Sequence, residues 1–482
     1  MVHVISDLDR MIGVEVYSTA TEGVKGRIRR RGNNSSRSDV HYHFMVEEVI
    51  DVDRISISKV RDSRHRYPLF ILRKEGIDTI HALKELESKY GLRLNALGLK
   101  DANASTLQYV TSDRVLGVRR KREKIGSEKG EMDRDGGGGG DRGGVEGEGE
   151  GDRRMGMEGV ERKIEEEGLS TRHCSLKFVG YSDRMLRKRD LIGNRFTITI
   201  DIDPSDHEYL EKIKSVVMEV RARRVGNFYG YQRFGSIRPV THLVGKAITR
   251  RMFREAVDTF LTYIGECEDE QSRSVRLMLR DGISEESIEN IPYHMDLERD
   301  LAKSMIKSSD PIRALRRLPI SVRRLFVEAY QAYIFNRTLS TAIREGYDIS
   351  TPSMGDICFS IDANNKVGDI CRFDGSSSKS GLVPAIPLVG FTFKPIGRFG
   401  TIVERVMEEE GISSKDFYIK EMQEVSVEGG FRPSPLLLLY NTFEMVSSNG
   451  GIRVRFALPK GSYATVLLRE VIKPAQPTLV GF

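Results

Sequence analysis

Cysteine is scarce in this 482-residue sequence. Its four copies, Cys174, Cys267, Cys358 and Cys371, stand far apart and form no Cys-x-x-Cys pair. That spacing argues against a zinc knuckle and a disulfide framework, and it fits a reducing, intracellular setting. Long apolar runs are missing as well. No apolar leader segment opens the chain, and no stretch approaches the roughly 20 residues that span a bilayer, so a soluble, cytoplasmic protein with no membrane partner is expected. His41 and His43 flank Tyr42, which would put both rings on one face of a strand. No third ligand stands nearby, so no metal site is expected. The charge surplus is small: 76 Lys and Arg against 70 Asp and Glu leave +6.

The basic residues are clustered, however, and clustering matters more than the total. Arg29-Arg30-Arg31, Arg187-Lys188-Arg189, Arg221-Ala-Arg-Arg224 and Arg313-Ala-Leu-Arg-Arg317 are the dense spots. Each is either a solvated face or a patch able to neutralise phosphates and release counterions. The length exceeds what one hydrophobic core serves, so two or more domains are expected.

Residues 1–60 read as short β segments, with Val40 to Val49 alternating around Phe44 and Val46. Ile77, Ile80, Leu83, Leu86 and Tyr90 recur at helical spacing, and Gly91 follows as a stop. From Lys121 to Ser170 no aromatic residue occurs and glycine dominates 136–151. Such a segment cannot bury enough apolar surface to offset its chain entropy, so a disordered insertion is expected at 121–170. A phosphate-cradling loop would need a Gly-Lys-Ser/Thr ending between strand and helix, which is absent. Order is expected to resume at Leu176, and Phe196, Ile198, Ile200 and Ile202 mark the clearest strand. Ser205-Asp-His-Glu208 fits a capping box for a helix buried along Leu210, Ile213, Val217 and Val220. Residues 241–346 turn mainly helical, with the longest helix at 321–345. The end reads as two strands, 436–446 and 452–456, around Asn449-Gly450-Gly451, and then a helix over 466–472 stopped by Lys473-Pro474. The fold class is therefore α+β, with a mixed or antiparallel sheet interrupted by a mainly helical segment.

Three stretches carry candidate chemistry. In Gly98-Leu-Lys-Asp-Ala-Asn-Ala-Ser-Thr-Leu-Gln108, Asp101 beside Lys100 is either a carboxylate kept ionised for catalysis or the cap of a short helix over 102–106. In Asn227-Phe-Tyr-Gly-Tyr-Gln-Arg-Phe-Gly235, the rings are either core aromatics at a tight turn or platforms for nucleobases. Tyr463 follows a glycine turn in Leu458-Pro-Lys-Gly-Ser-Tyr-Ala-Thr465.

These three stretches resemble motifs of the TruD family of tRNA pseudouridine synthases. Gly193-Asn-Arg-Phe196, Ala329-Tyr-Gln-Ala-Tyr-Ile-Phe-Asn336, Arg469-Glu470 and the Phe44-x-Val46-x-Glu48 run agree, in the same order along nearly the whole chain. The resemblance implies that Asp101 is the catalytic nucleophile or base in a redox-neutral conversion of uridine to its C-glycoside, with no cofactor or metal. It implies a uridine extruded from its stack, Tyr463 packing against the uracil, and Asn227, Tyr229 and Lys100 at the same pocket. Gln232 and Arg233 would organise the loop or contact a phosphate. It also implies a catalytic domain over 1–244 and 431–482, split by an inserted TRUD domain at 245–430. Between them would lie tRNA, with uridine 13 of the D-arm as target and other RNAs as further substrates. A monomer is expected. The chain departs from the family pattern in the glycine-rich segment and upstream of Phe44, where Ile28-Arg29 stands and Arg29 is a candidate cation. The alternatives are a non-catalytic RNA-binding or folding protein on this scaffold, or a glycosidase, for which no second acid pairs with Asp101.

Overall fold

The alternation around Ile198 forms its strand, Leu191–Ile202, in the computed structural model of the chain, an α+β fold. The structure describes residues 4–29, 43–98, 100, 104–112, 168–376, 378–448 and 450–482. Two compact units emerge: Ile50–Leu191, and Met1–Val49 together with Ile192–Phe482.

In the Ile50–Leu191 unit, the strand Tyr67–Lys74 runs antiparallel between Ser105–Ser112 and Cys174–Ser182. Leu94–Ala96 joins Ser105–Ser112, while Ile57–Ser58 and Leu169–Ser170 join Cys174–Ser182. The helix Thr79–Tyr90 forms where periodicity places it. The Asp78 carboxylate caps it by accepting from the Ile80 and His81 N–H groups at 2.9 and 3.1 Å. Gly91 ends it at φ 69°, a conformation that favours glycine. Its Ala82 and Leu86 pack with Phe70, Leu72, Val110 and Leu176. Burying each large apolar side chain there contributes about 1.5–3 kcal/mol. Ser105 and Thr106 belong to a strand, so a helix over 102–106 does not form at that end. Leu169–Ser170 is also a strand, so order resumes before Leu176; the rest of the expected insertion, up to residue 167, lies outside the described residues.

In the larger unit, Phe443–Ser448, Gly451–Pro459, Leu191–Ile202 and Phe44–Ile50 lie side by side in that order. The two strands ending the chain form the expected hairpin, with Ser448 opposite Gly451. Ile452, Val454 and Phe456 are each 1% exposed, while Arg455 on the other face is exposed. The first of those strands starts only at Phe443; Leu436 to Leu439 are buried and belong to no strand. A second sheet runs Val367–Arg372, Ile357–Ile361, Leu382–Leu388, Gly430–Pro433. Between the sheets in sequence come helices, ending in the long Ile320–Arg344. Two local expectations need correcting. Residues near the start are not all β, because Asp7–Met11 is helical under a Ser6 cap. The helix Tyr209–Arg221 has no side-chain cap: Ser205 instead donates its N–H to Asp203, and Leu210 is 39% exposed. Among the described residues, no helix is long and apolar enough to cross a membrane.

Candidate functional site

The 227–235 loop is held open by a short stretch of extended pairing. Leu436 N–H donates to Val225 O at 2.7 Å, and Asn227 N–H donates to Ser434 O at 2.8 Å. This pairing brings Arg432 beneath the loop. Arg432 is 7% exposed and uses its whole fork. Its Nε donates to Asn227 O at 3.0 Å, Nη2 to Asn227 Oδ1 at 3.0 Å and to Phe228 O at 3.3 Å, and Nη1 to Gly461 O at 2.7 Å. One guanidinium therefore ties the 227 loop to the glycine turn before Tyr463. A planar fork with five donors suits this task better than a point charge.

The same guanidinium carries the aromatic walls. It lies 4.1 Å from the Tyr229 ring centre, 5.5 Å from Phe335 and 6.0 Å from Tyr463. Tyr229 meets Phe335 edge-on at 5.4 Å and Tyr463 at 5.9 Å, tilted by 58°. Asn336, fully buried on the helix Ile320–Arg344, fixes the Tyr229 backbone. Its Oδ1 accepts the Tyr229 N–H at 2.8 Å, and its Nδ2 donates to Tyr229 O at 3.1 Å and Ile12 O at 2.9 Å. Gly230 permits the turn, since a Cβ there would come within 2.6 Å of Thr465 Oγ1. That hydroxyl donates to Gln232 Oε1 at 3.0 Å. Gln232 is exposed, whereas Tyr229, Arg233 and Tyr463 are half-buried.

Electrostatics follow from this packing. Burial pushes the Tyr463 hydroxyl above its ordinary pKa, against the pull of Arg233 and Arg432. Arg233 donates to Glu328 at 2.9 Å and lies 5.7 Å from the Tyr229 ring, while its buried Nε has no hydrogen-bond partner among the described residues. Asn227 is satisfied by the protein: Oδ1 also accepts from Ser462 Oγ at 3.1 Å, and Nδ2 donates to Pro433 O at 3.2 Å. The result is a pair of half-exposed rings beside the buried Arg432 and the half-buried Arg233, an arrangement suited to a planar base and its phosphate.

Beneath the loop a buried network holds both motifs to the N-terminal segment. Tyr231 donates its hydroxyl to Asp9 Oδ1 at 2.7 Å, and Arg469 Nε reaches the same oxygen at 2.8 Å. Arg469 also lies 3.9 Å from the Tyr17 ring centre. Glu470 accepts the N–H groups of Ser18 and Thr19 at 2.9 and 3.1 Å. The Arg469-Glu470 pair thus anchors the helix Ala464–Ile472, which starts directly after Tyr463.

Lys100 lies in the Ile50–Leu191 unit, and Asp101 is outside the described residues. Its flanks are fastened by Thr79, which is fully buried. The Lys100 N–H donates to Thr79 Oγ1 at 2.9 Å, the Thr79 hydroxyl donates to Gln108 Oε1 at 2.9 Å, and Gln108 Nε2 donates to Gly98 O at 2.7 Å. Arg29, the candidate cation upstream, pairs with Asp201. Asn227, Tyr229, Gln232, Arg233 and Tyr463 do come together. Sequence reading left Arg432, Phe335 and Asn336 without a role. The last two sit in the quoted 329–336 motif, but nothing in the spacing around Arg432 signalled it.

A family model described as tRNA pseudouridine synthase D (TruD) matches residues 11–126 and 155–471. The gap between the two matches falls in the glycine-rich segment. A probable tRNA pseudouridine synthase D of Methanopyrus kandleri is 37% identical over 308 residues, 63% of this chain and 70% of that one. One from Archaeoglobus fulgidus is 27% identical and covers 97% of this chain and 99% of its own. Among solved structures, the putative tRNA pseudouridine synthase D of Methanosarcina mazei is similar with a TM-score of 0.68 and 25% identity, over 98% of this chain and 99% of that chain.

Proposed function

The chain belongs to the TruD family of tRNA pseudouridine synthases, and we propose that it isomerises uridine 13 of the tRNA D-arm with Asp101 as the catalytic group. The isomerase activity on tRNA is that of the family; the position and the residue are our reading. The observation that carries it is the meeting of Tyr229 and Asn227 from one motif, Tyr463 from another and Arg432 from the strand Gly430–Pro433 around one half-open pocket. A uridine turned out of its stack would lie against Tyr463 and Tyr229, with a neighbouring phosphate taken by the Arg233 guanidinium.

In the reaction the bond from C1′ to N1 breaks and one from C1′ to C5 forms. The proton on C5 leaves, N1 gains one, and no electrons are exchanged with a partner. Asp101 either attacks C1′ or triggers departure of the base. An adjacent Lys100 favours the ionised carboxylate that either role needs. The proposed organisation is a catalytic domain over 1–244 and 431–482, interrupted by an inserted TRUD domain at 245–430.

Asp101→Asn is expected to bind tRNA transcripts with wild-type affinity and form no pseudouridine. Full activity in this variant would remove Asp101 from the mechanism. A transcript with cytidine at position 13 is expected to remain unmodified, and modification elsewhere in it would move the target.

A further inference from the structure

The basic run 221–224 ends the helix Tyr209–Arg221 and takes no part in the site above. Arg224 has an acidic partner, Glu219, at 3.5 Å. Arg221 and Arg223 form no ion pair within 4.0 Å among the described residues. Both line a cavity of about 290 Å³ with Asp362, Asn365, Ser380 and Asn441. Among the described residues each of the two guanidiniums makes one long hydrogen bond, Arg221 Nη2 to Asn441 O at 3.4 Å and Arg223 Nη1 to Ser380 O at 3.5 Å. A guanidinium has five donors, so most of their capacity is unused.

Arg223 is half-buried and sits at φ 62°. Burial alone lowers its pKa, with no carboxylate opposing the shift. A partly desolvated cation without a counter-charge is costly, and an anion would relieve that cost. Asp362 in the lining is turned to its own loop, accepting the N–H groups of Asn364 and Lys366 at 2.8 and 2.9 Å. Asn365 likewise donates to Leu438 O at 2.9 Å and Asn441 Oδ1 at 2.7 Å. At about 30 Å³ per water, the cavity has room for a phosphate and its hydration.

We propose that this cavity is a phosphate subsite in which Arg221 and Arg223 together grip one phosphodiester of the bound RNA, away from the uridine pocket. Two forks converging on one opening match the oxygens of a phosphate. The proposal rests on the reading of RNA as substrate.

The test uses the full chain with Arg221 and Arg223 both changed to Gln. Binding of a tRNA transcript is measured over a range of potassium chloride concentrations, and pseudouridine formation at saturating RNA. The slope of log affinity against log salt is expected to fall by about 1 to 2. Affinity at low salt should drop by about tenfold or more. The rate at saturating RNA and the unfolding temperature should be unchanged. Wild-type slope and affinity in the variant would overturn the subsite. Inorganic phosphate is titrated separately at constant ionic strength. If it binds only where both arginines are intact while RNA binding ignores them, the occupant is free phosphate and the RNA proposal fails. Because the salt slope is read without catalysis, it decides the subsite even if the wild-type chain makes no pseudouridine, a result that would count against the proposed function instead.

Discussion

The guanidinium of Arg432 lies 4.1 Å from the centre of the Tyr229 ring, and two of its nitrogens bind the Asn227 backbone and side-chain oxygens. A single buried cation therefore sets both the height of the aromatic wall and the path of the loop that carries it.

Arg432→Lys keeps the charge and loses the fork. Its pseudouridine formation rate at saturating RNA should fall by about 100-fold, the penalty typical of a displaced pocket group. Arg432→Ala should also leave Asn227 O, Phe228 O and Gly461 O unpaired, and unfolding should become easier by about 3 kcal/mol. Denaturant titration beside single-turnover rates separates the two effects, and equal rates in the Lys variant and wild type would refute the positioning role.

Tyr463 presents a half-buried ring, and among the described residues its hydroxyl has no hydrogen-bond partner. Tyr463→Phe is expected to retain activity within about threefold. Tyr463→Ala should weaken productive RNA binding by about 1–3 kcal/mol, the range for one lost base–aromatic stack. Steady-state kinetics on a tRNA transcript check both.

Thr79 joins Lys100 to Gln108 through one buried hydroxyl. Thr79→Val keeps the volume and removes the hydroxyl shared by the Lys100 N–H and Gln108 Oε1, so stability should fall by about 1 kcal/mol. The turnover rate should fall as well, because the Lys100 backbone keeps only one of its two ties to Thr79. Unfolding midpoints and turnover rates together test this.

His242 is 2% exposed, stacked 5.3 Å from Tyr333 and edge-on to Phe234. Burial lowers its pKa to about 4, with the Met11 backbone and Glu410 opposing and Lys246 assisting. The unfolded chain takes up this proton near its ordinary pKa of about 6.5. Stability from the neutral imidazole is therefore complete above that value and declines as pH falls toward 4. The loss is on the order of 3 kcal/mol. His242→Phe should flatten that part of the stability profile, measured by denaturant unfolding from pH 4 to 7.

Sequence periodicity placed the helix Thr79–Tyr90, the strand Leu191–Ile202 and the closing hairpin, because their burial faces repeat at 3.6 or 2 residues. It misplaced the start of the Phe443–Ser448 strand, since four leucines in a row look the same in a strand and in a buried turn. It also offered a cap at Ser205, whose N–H is instead captured by Asp203.

For the site, the sequence by itself determined which aromatic, amide and basic residues the motifs supply, because glycines and ring residues leave a pattern in one dimension. What joins them was decided only in the folded chain. Arg432 lies 205 positions from Asn227, and Asp9 460 from Arg469. Pairings that distant depend on which strands and helices pack together, so a lone arginine on a short strand becomes the centre of a pocket only once Leu436 has paired with Val225.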